Sequence, residues 1–173
     1  MREDAGMTTR EHLVILLQEI YSFHRDMLPL LDSLRHLAGD QRARMVLQTQ
    51  HDGIRGEQDM ADGALRQLGE RFKMEHSVQA AGLKEASERF RHQESPAREQ
   101  LEIHALLIAL SAAGFARGRY LGAVEMALAI EEPDIARLLE EMDKREVVGQ
   151  GDLAEVLPQL IQEAGKGESQ RAA

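Results

Sequence analysis

From Ala105 to Ala116 the chain runs for about a dozen residues without a charge, and apolar residues continue at helical spacing through Tyr120 and Met126 to Ile130. A helix that is apolar on nearly every side has to be enclosed by other helices. An uncharged run this short does not reach the roughly 20 residues that a bilayer span needs. The stretch therefore reads as the core helix of a soluble bundle. Gly114, Gly118 and Gly122 recur at every fourth position and share one face. Each interior glycine costs roughly 1 kcal/mol against alanine, so three on one stripe imply close backbone approach to a neighbour, with helix packing rather than chemistry as the first reading.

The rest of the chain has to supply the enclosing helices. Its 173 residues suit one domain, and 43% of them are hydrophobic. With 3% aromatic residues and no Trp, the core must be built from Leu, Ile, Val, Ala and Met. Four prolines and long stretches without turn dipeptides favour an all-α fold. The absence of cysteine excludes disulfides, thiolate metal sites and a Cys nucleophile. The start, Met1-Arg-Glu-Asp-Ala-Gly6, carries acids and no apolar run, so a cytoplasmic protein is expected. A net charge of -9 argues against nucleic acid and against an anionic membrane surface as partners.

Taken in order, residues 1–8 read as a disordered leader, with Thr8 and Glu11 forming a capping box. A first helix is predicted over 9–38, kinked or broken at Pro29 and stopped by Gly39. Asp40 caps a second over 41–69, whose apolar positions are Met45, Val46, Ile54, Met60, Ala61, Ala64, Leu65 and Leu68. A shorter accessory helix over 76–92 carries Val78, Ala81, Leu83, Ala86 and Phe90. Ser95-Pro96 separates it from the long helix, 97–130. After the Glu131-Glu132-Pro133-Asp134 break, a helix over 134–148 is interrupted at Gly149-Gln150-Gly151, and a terminal helix ends near Ala164. The expected architecture is an up-down four-helix bundle over 9–164 with an accessory helix and a C-terminal helical extension, followed by a disordered tail at 165–173.

Bundles of this kind can hold two metals between helices through Glu residues and Glu-x-x-His pairs, because that spacing puts carboxylate and imidazole on one inward face. No Glu-x-x-His occurs: the residues three before the seven histidines are Thr9, Tyr21, Ser33, Gln48, Lys73, Arg89 and Leu101. Glu88 and His92 are four apart and read as an exposed pair. Phosphate loops and nucleophile elbows are absent. His24 and His51 lie mid-rod on the first two helices; each reads first as a hydrogen-bonded half-buried histidine and second as an inward-facing ligand. Tyr21 and Tyr120 adjoin interior positions and would satisfy polar groups in the core.

These residues resemble a family, the YciE/YciF-type ferritin-like proteins, bacterial four-helix bundles linked to stress responses. The resemblance rests on Glu19-Ile-Tyr21 and Pro29 in the first helix, His51 and Gln58 in the second, Ala80-Ala-Gly-Leu-Lys-Glu85 in the accessory helix, and Tyr120, Ala127, Ile130, Leu138-Leu139, Glu146 and Leu153 in the last third. It implies a ferritin-like fold and, in the family, a di-iron centre. The ligands mostly differ. His24 stands where the family carries Glu, Ala113-Gly114-Phe115-Ala116 where it carries Glu-His-x-Glu, and Arg145-Glu146 at its paired glutamates. The second-helix carboxylate falls around Ile54.

The resemblance therefore implies a degenerate di-iron site and a homodimer that is not an enzyme and acts through shape or contacts. The alternative is a rebuilt iron or manganese site in a protein that protects against oxidative stress, with His24, His51 and Glu146 as ligands and Glu19 or Glu57 in reserve. In the first of these readings, the one without metal, Arg145 could pair with Glu146 or another acid and mimic the lost cation.

Overall fold

A computed structural model of the chain describes residues 6–93 and 96–171. Five helices account for its secondary structure: α1 (Thr9–Leu37), α2 (Gln41–Gln67), α3 (Val78–Gln93), α4 (Arg98–Ala129) and α5 (Pro133–Arg171). Residues 1–5 of the expected leader and Ala172-Ala173 of the expected tail lie outside the described residues. Thr8 caps α1 through the expected box with Glu11, and Asp40 caps α2 by accepting from the N–H groups of Arg42 and Ala43.

The four long helices pack as a bundle in which every neighbouring pair is antiparallel. Three-residue connections fold α2 back on α1 and α5 back on α4. Across α1 and α4, Phe23 meets Phe115 and Gly39 meets Glu102. Across α2 and α5, Arg42 pairs with Glu163 while Gln67 reaches Glu132. The connector 68–77 and α3 carry the chain along the bundle, so α2 and α4 run in the same direction on the diagonal. Gln18 clamps this connector by donating to the Arg71 carbonyl and accepting from the Lys73 N–H.

The core joins large residues of α1 to small ones of α4. Leu13, Leu17, Ile20, Phe23, Met27, Leu31 and Leu34 face Ala105, Ala109, Ala112, Ala116, Ala123 and Ala127. Alanine lets the helix axes approach, and the branched and aromatic side chains fill the space between. Over its full length α4 is apolar enough by composition to cross a membrane, with mean hydropathy 1.3 in its most apolar 18 residues. Here its alanine face and Tyr120 are enclosed by the other helices.

Several local expectations are corrected. Helix α1 passes through Pro29 without a break; the ring faces outward, where water can reach the carbonyl it leaves unbonded. Gly149 and Gly151 do not interrupt α5, which continues through Arg171, past the predicted end at 164. The reason is that the buried stripe Met142, Glu146, Leu153, Val156, Leu160 keeps its helical phase across them. A Cβ on Gly149 would clash with the Gln50 amide, so this glycine admits a side chain from α2 rather than ending a helix. The Gly114/Gly118/Gly122 stripe is not a close approach. An added Cβ would meet only ordinary contacts at 114 and 122 and open space at 118. On α3 the inward residues are Ala80, Ser87 and, half-buried, Leu83 and Phe90, whereas Val78 is 79% exposed.

Candidate functional site

Each long helix sends one polar side chain to the same level of the core: His24 from α1, Glu57 from α2, Tyr120 from α4 and Glu146 from α5. Each sits where the buried apolar stripe of its helix would place another hydrophobe. His24 follows Leu17 and Ile20, Glu57 follows Ile54, Tyr120 follows Ala116, and Glu146 follows Met142. Because α2 and α4 are diagonal, Tyr120 reaches across the bundle to Glu57.

The tyrosine hydroxyl lies between the other two groups. Its oxygen is 2.6 Å from His24 Nε2 and 2.9 Å from Glu57 Oε2, while His24 Nε2 and Glu57 Oε2 are 3.7 Å apart. With Tyr120 donating to Glu57, the hydroxyl accepts from His24 Nε2–H. His24 Nδ1 then carries a bare lone pair with no partner among the described residues. Glu146 completes the cluster from α5. Both its oxygens are buried without a well-formed hydrogen bond, although the Gln50 amide and the Glu57 carboxyl lie close enough to affect titration.

Burial dominates the electrostatics. Loss of water pushes the His24 imidazole down to about 3, so it is neutral at physiological pH. Burial pushes Glu57 up to about 7 against the opposing Tyr120 bond and Arg145 charge. Glu146 rises to about 8 through burial and then the adjacent Glu57 charge, opposed by Gln50 and by Arg117. The Tyr120 phenol is held well above its usual value, by burial first and the two carboxyls next. Two carboxyls this close in a dry core hold a proton between them near neutral pH.

The site is not sealed. A cavity of about 450 Å³ between α2 and α5, lined by Gln50, Ile54, Glu57, Arg145, Glu146 and Gly149, reaches the carboxyl pair. Arg145 flanks this opening and is ion-paired with Glu141 at 3.2 Å, not with Glu146. Arg117 bonds Asp143 at 2.9 Å and Gln150 at 3.0 Å.

The structure brings together two of the three predicted ligands. His24 and Glu146 are in the cluster; His51 is not. Gln50, Ile54 and Glu57 share the inward stripe of α2, and His51 lies about a quarter-turn round the helix, where its Nδ1 is 3.1 Å from Asp52. Of the reserve residues, Glu57 is at the centre and Glu19 is on the surface facing Arg119 at 3.4 Å. The inward carboxylate of α2 thus falls one turn beyond Ile54. Among the described residues no group of three or more His, Asp or Glu side chains is arranged to hold a metal ion. The donors present do not suit a two-metal centre: one imidazole nitrogen and one carboxylate are engaged by Tyr120, and Ala113 and Ala116 supply no ligand from α4.

A family described as Domain of unknown function (DUF892) matches residues 8–165. No curated protein matches. Three solved structures share the fold. The Escherichia coli stress protein YciF aligns with TM-score 0.82 at 15% identity, over 90% of this chain and 98% of that one. YcfI of Rhodopseudomonas palustris, to which a structural role is ascribed, aligns at 0.80 and 16%, over 89% and 98%. A protein from Xanthomonas campestris aligns at 0.77 and 13%, over 94% and 99%.

Proposed function

The chain belongs to the DUF892 family, and from that premise we propose that it is a ferritin-like bundle whose inter-helix centre holds protons rather than two metal ions, serving a structural or protein-binding role in a stress response. The observation that carries this reading is the Tyr120 hydroxyl between His24 and Glu57. A cation there would have to displace a satisfied hydrogen-bond chain and take the shared proton from the carboxyl pair, with too few carboxylates to balance two divalent charges. The stress protein YciF and YcfI, to which a structural role is ascribed, share the fold, which supports the direction of the proposal. The proposal includes a homodimer, for which Leu107, Leu121 and Leu128, exposed along one face of α4, offer an apolar surface, and a cytoplasmic location.

A second reading is a single iron or manganese ion held by Glu146 and Glu57. The two unpartnered oxygens of Glu146 favour it. Elemental analysis of the purified chain after incubation with iron, manganese or zinc separates the two. The proton-held centre gives far less than one metal per chain in every case. Near-stoichiometric metal that is lost in Glu146→Gln refutes it and establishes the single-ion site.

A further inference from the structure

A second cavity, of about 420 Å³, lies between α1 and α3, away from the polar centre. That volume is within the range of small-molecule sites. Its floor is apolar: Leu30 and Ala80 are buried there, with Pro29 and Ala81 beside them. Ser87 of α3, a residue only 3% exposed, also lines it, and its hydroxyl makes no hydrogen bond among the described residues. A buried hydroxyl without a partner costs free energy unless water or a ligand satisfies it. In a helix serine can bond back to the carbonyl four residues earlier, as Ser22 and Ser111 do. Ser87 does not.

The charges around this cavity are unequal in what they leave free. Asp26 is saturated by Arg25 at 2.7 Å and the Ser77 N–H at 2.8 Å, with His76 at 3.4 Å. Glu88 is taken by Lys84 at 3.9 Å. Arg91 also lines the cavity and makes no ion pair or hydrogen bond among the described residues. It stands one turn after Ser87 on the same face of α3. One uncommitted guanidinium, one hydroxyl without a protein partner among the described residues beside it and an apolar floor match a ligand with a single negative charge at one end of a hydrocarbon body. A dianion such as phosphate would require a second free cation and would leave the floor uncovered.

We propose that the cavity between α1 and α3 binds a small monocarboxylate with an apolar tail, the carboxylate held by Arg91 and the Ser87 hydroxyl and the tail lying on Leu30 and Ala80. The guanidinium offers paired donors to a carboxylate, and the tail buries its own apolar surface against Leu30, Ala80, Pro29 and Ala81.

Isothermal titration of the full chain with octanoate tests this, with octylamine and inorganic phosphate as counterparts of opposite charge and of no tail. Octanoate binds saturably at one per chain and the other two do not. Arg91→Gln weakens octanoate by at least about tenfold, the loss of one charge-assisted hydrogen-bonding group. Ser87→Ala weakens it several-fold, and Ala81→Leu, which fills the mouth, abolishes it. Arg91 and Ala81 are exposed, so both variants keep the wild-type melting temperature. Absence of octanoate binding at millimolar concentration overturns the proposal, as does equal binding of octylamine or phosphate, or unchanged affinity in Arg91→Gln.

Discussion

Glu146→Gln exposes the energetics of the centre most directly. The amide keeps the shape of the protonated acid and cannot ionise. In the folded wild type the Glu57–Glu146 pair gives up its protons in steps at about 7 and about 8, against 4.5 for an ordinary glutamate. The folded chain therefore holds these protons more tightly than the unfolded chain. Stability from them is complete below pH 4.5 and is lost as pH rises through 7 to 8. Between pH 6.5 and 8 the folded state carries on average about one more proton than the unfolded state, after allowing for the ordinary histidine that His24 becomes on unfolding. At about 1.4 kcal/mol per proton and pH unit, the wild type loses about 2 kcal/mol over that interval. In Glu146→Gln only Glu57 remains, and the loss falls below about 1 kcal/mol. Urea unfolding at pH 6.5 and 8.0 at fixed ionic strength reads this out. With a slope of about 2 kcal/mol per molar, the wild-type midpoint drops by about 1 M and the variant's by less than half of that. A variant midpoint that still drops by about 1 M refutes the assignment of the shared proton to this pair.

Three further substitutions probe the same core. Tyr120→Phe leaves His24 Nε2 and Glu57 Oε2 without their bridging partner and destabilises the fold by about 1–3 kcal/mol, measured by urea unfolding at pH 7. His24→Leu removes a group that burial holds neutral down to about 3; the unfolded histidine protonates below 6.5, so relative to wild type the variant gains about 1.4 kcal/mol for each pH unit below 6.5, seen as midpoints that diverge between pH 6.5 and 5.5. Gly151→Ala has open space for its methyl and raises stability by about 0.5–1 kcal/mol, whereas Gly149→Ala must expel the Gln50 amide and unfolds at a lower temperature than Gly151→Ala in the same thermal melt.

Helix order and most boundaries were legible because long apolar stripes at helical spacing leave few alternatives, and caps such as Thr8-Glu11 and Asp40 mark their starts locally; the number was not, since the two helices read on either side of Gly149-Gln150-Gly151 are one. The second helix shows where this fails. Its inward stripe is Ala43, Leu47, Gln50, Ile54, Glu57, Ala61 and Leu65, while Met45, one of the apolar positions from which the helix was read, is 61% exposed. Two polar residues at core positions broke the apolar pattern at the functional centre itself. The family resemblance puts the carboxylate around Ile54 and a ligand at His51, one turn and a quarter-turn away from the inward Glu57 and Gln50. Nothing local in the sequence signals that Glu57 is buried; only its spacing of three from Ile54 and four from Ala61 does. Tyr120 was placed next to the interior, but its bond to Glu57 on the diagonal helix depends on the crossover topology, which no single helix encodes. The glycines misled for the opposite reason: a glycine in a sequence reads as a break or a close contact, and only the facing residue decides which, as Gln50 does for Gly149 and open space does for Gly118.

The polar centre is expensive, and its value lies in specificity rather than stability. A core of Leu against Ala can slide, since one aliphatic layer resembles the next. The four polar groups cannot: Tyr120 satisfies His24 and Glu57 together only when α1, α2 and α4 are in one register, and Glu146 ties α5 to the same level. Replacing all four by apolar residues of similar size, as His24→Leu, Glu57→Leu, Tyr120→Phe and Glu146→Leu together, removes two buried carboxyls and an unpartnered imidazole nitrogen. By analogy with other buried polar clusters, this is neutral or stabilising by a few kcal/mol. The register argument predicts a second effect that stability does not report: broadened amide resonances and weakened hydrogen-exchange protection along α2 and α5, where the inter-helix packing lacks the large aliphatic ladder of α1. A quadruple variant that is more stable and equally well ordered would show that the bundle is positioned by its apolar packing alone, and the buried acids would then need a ligand to explain them.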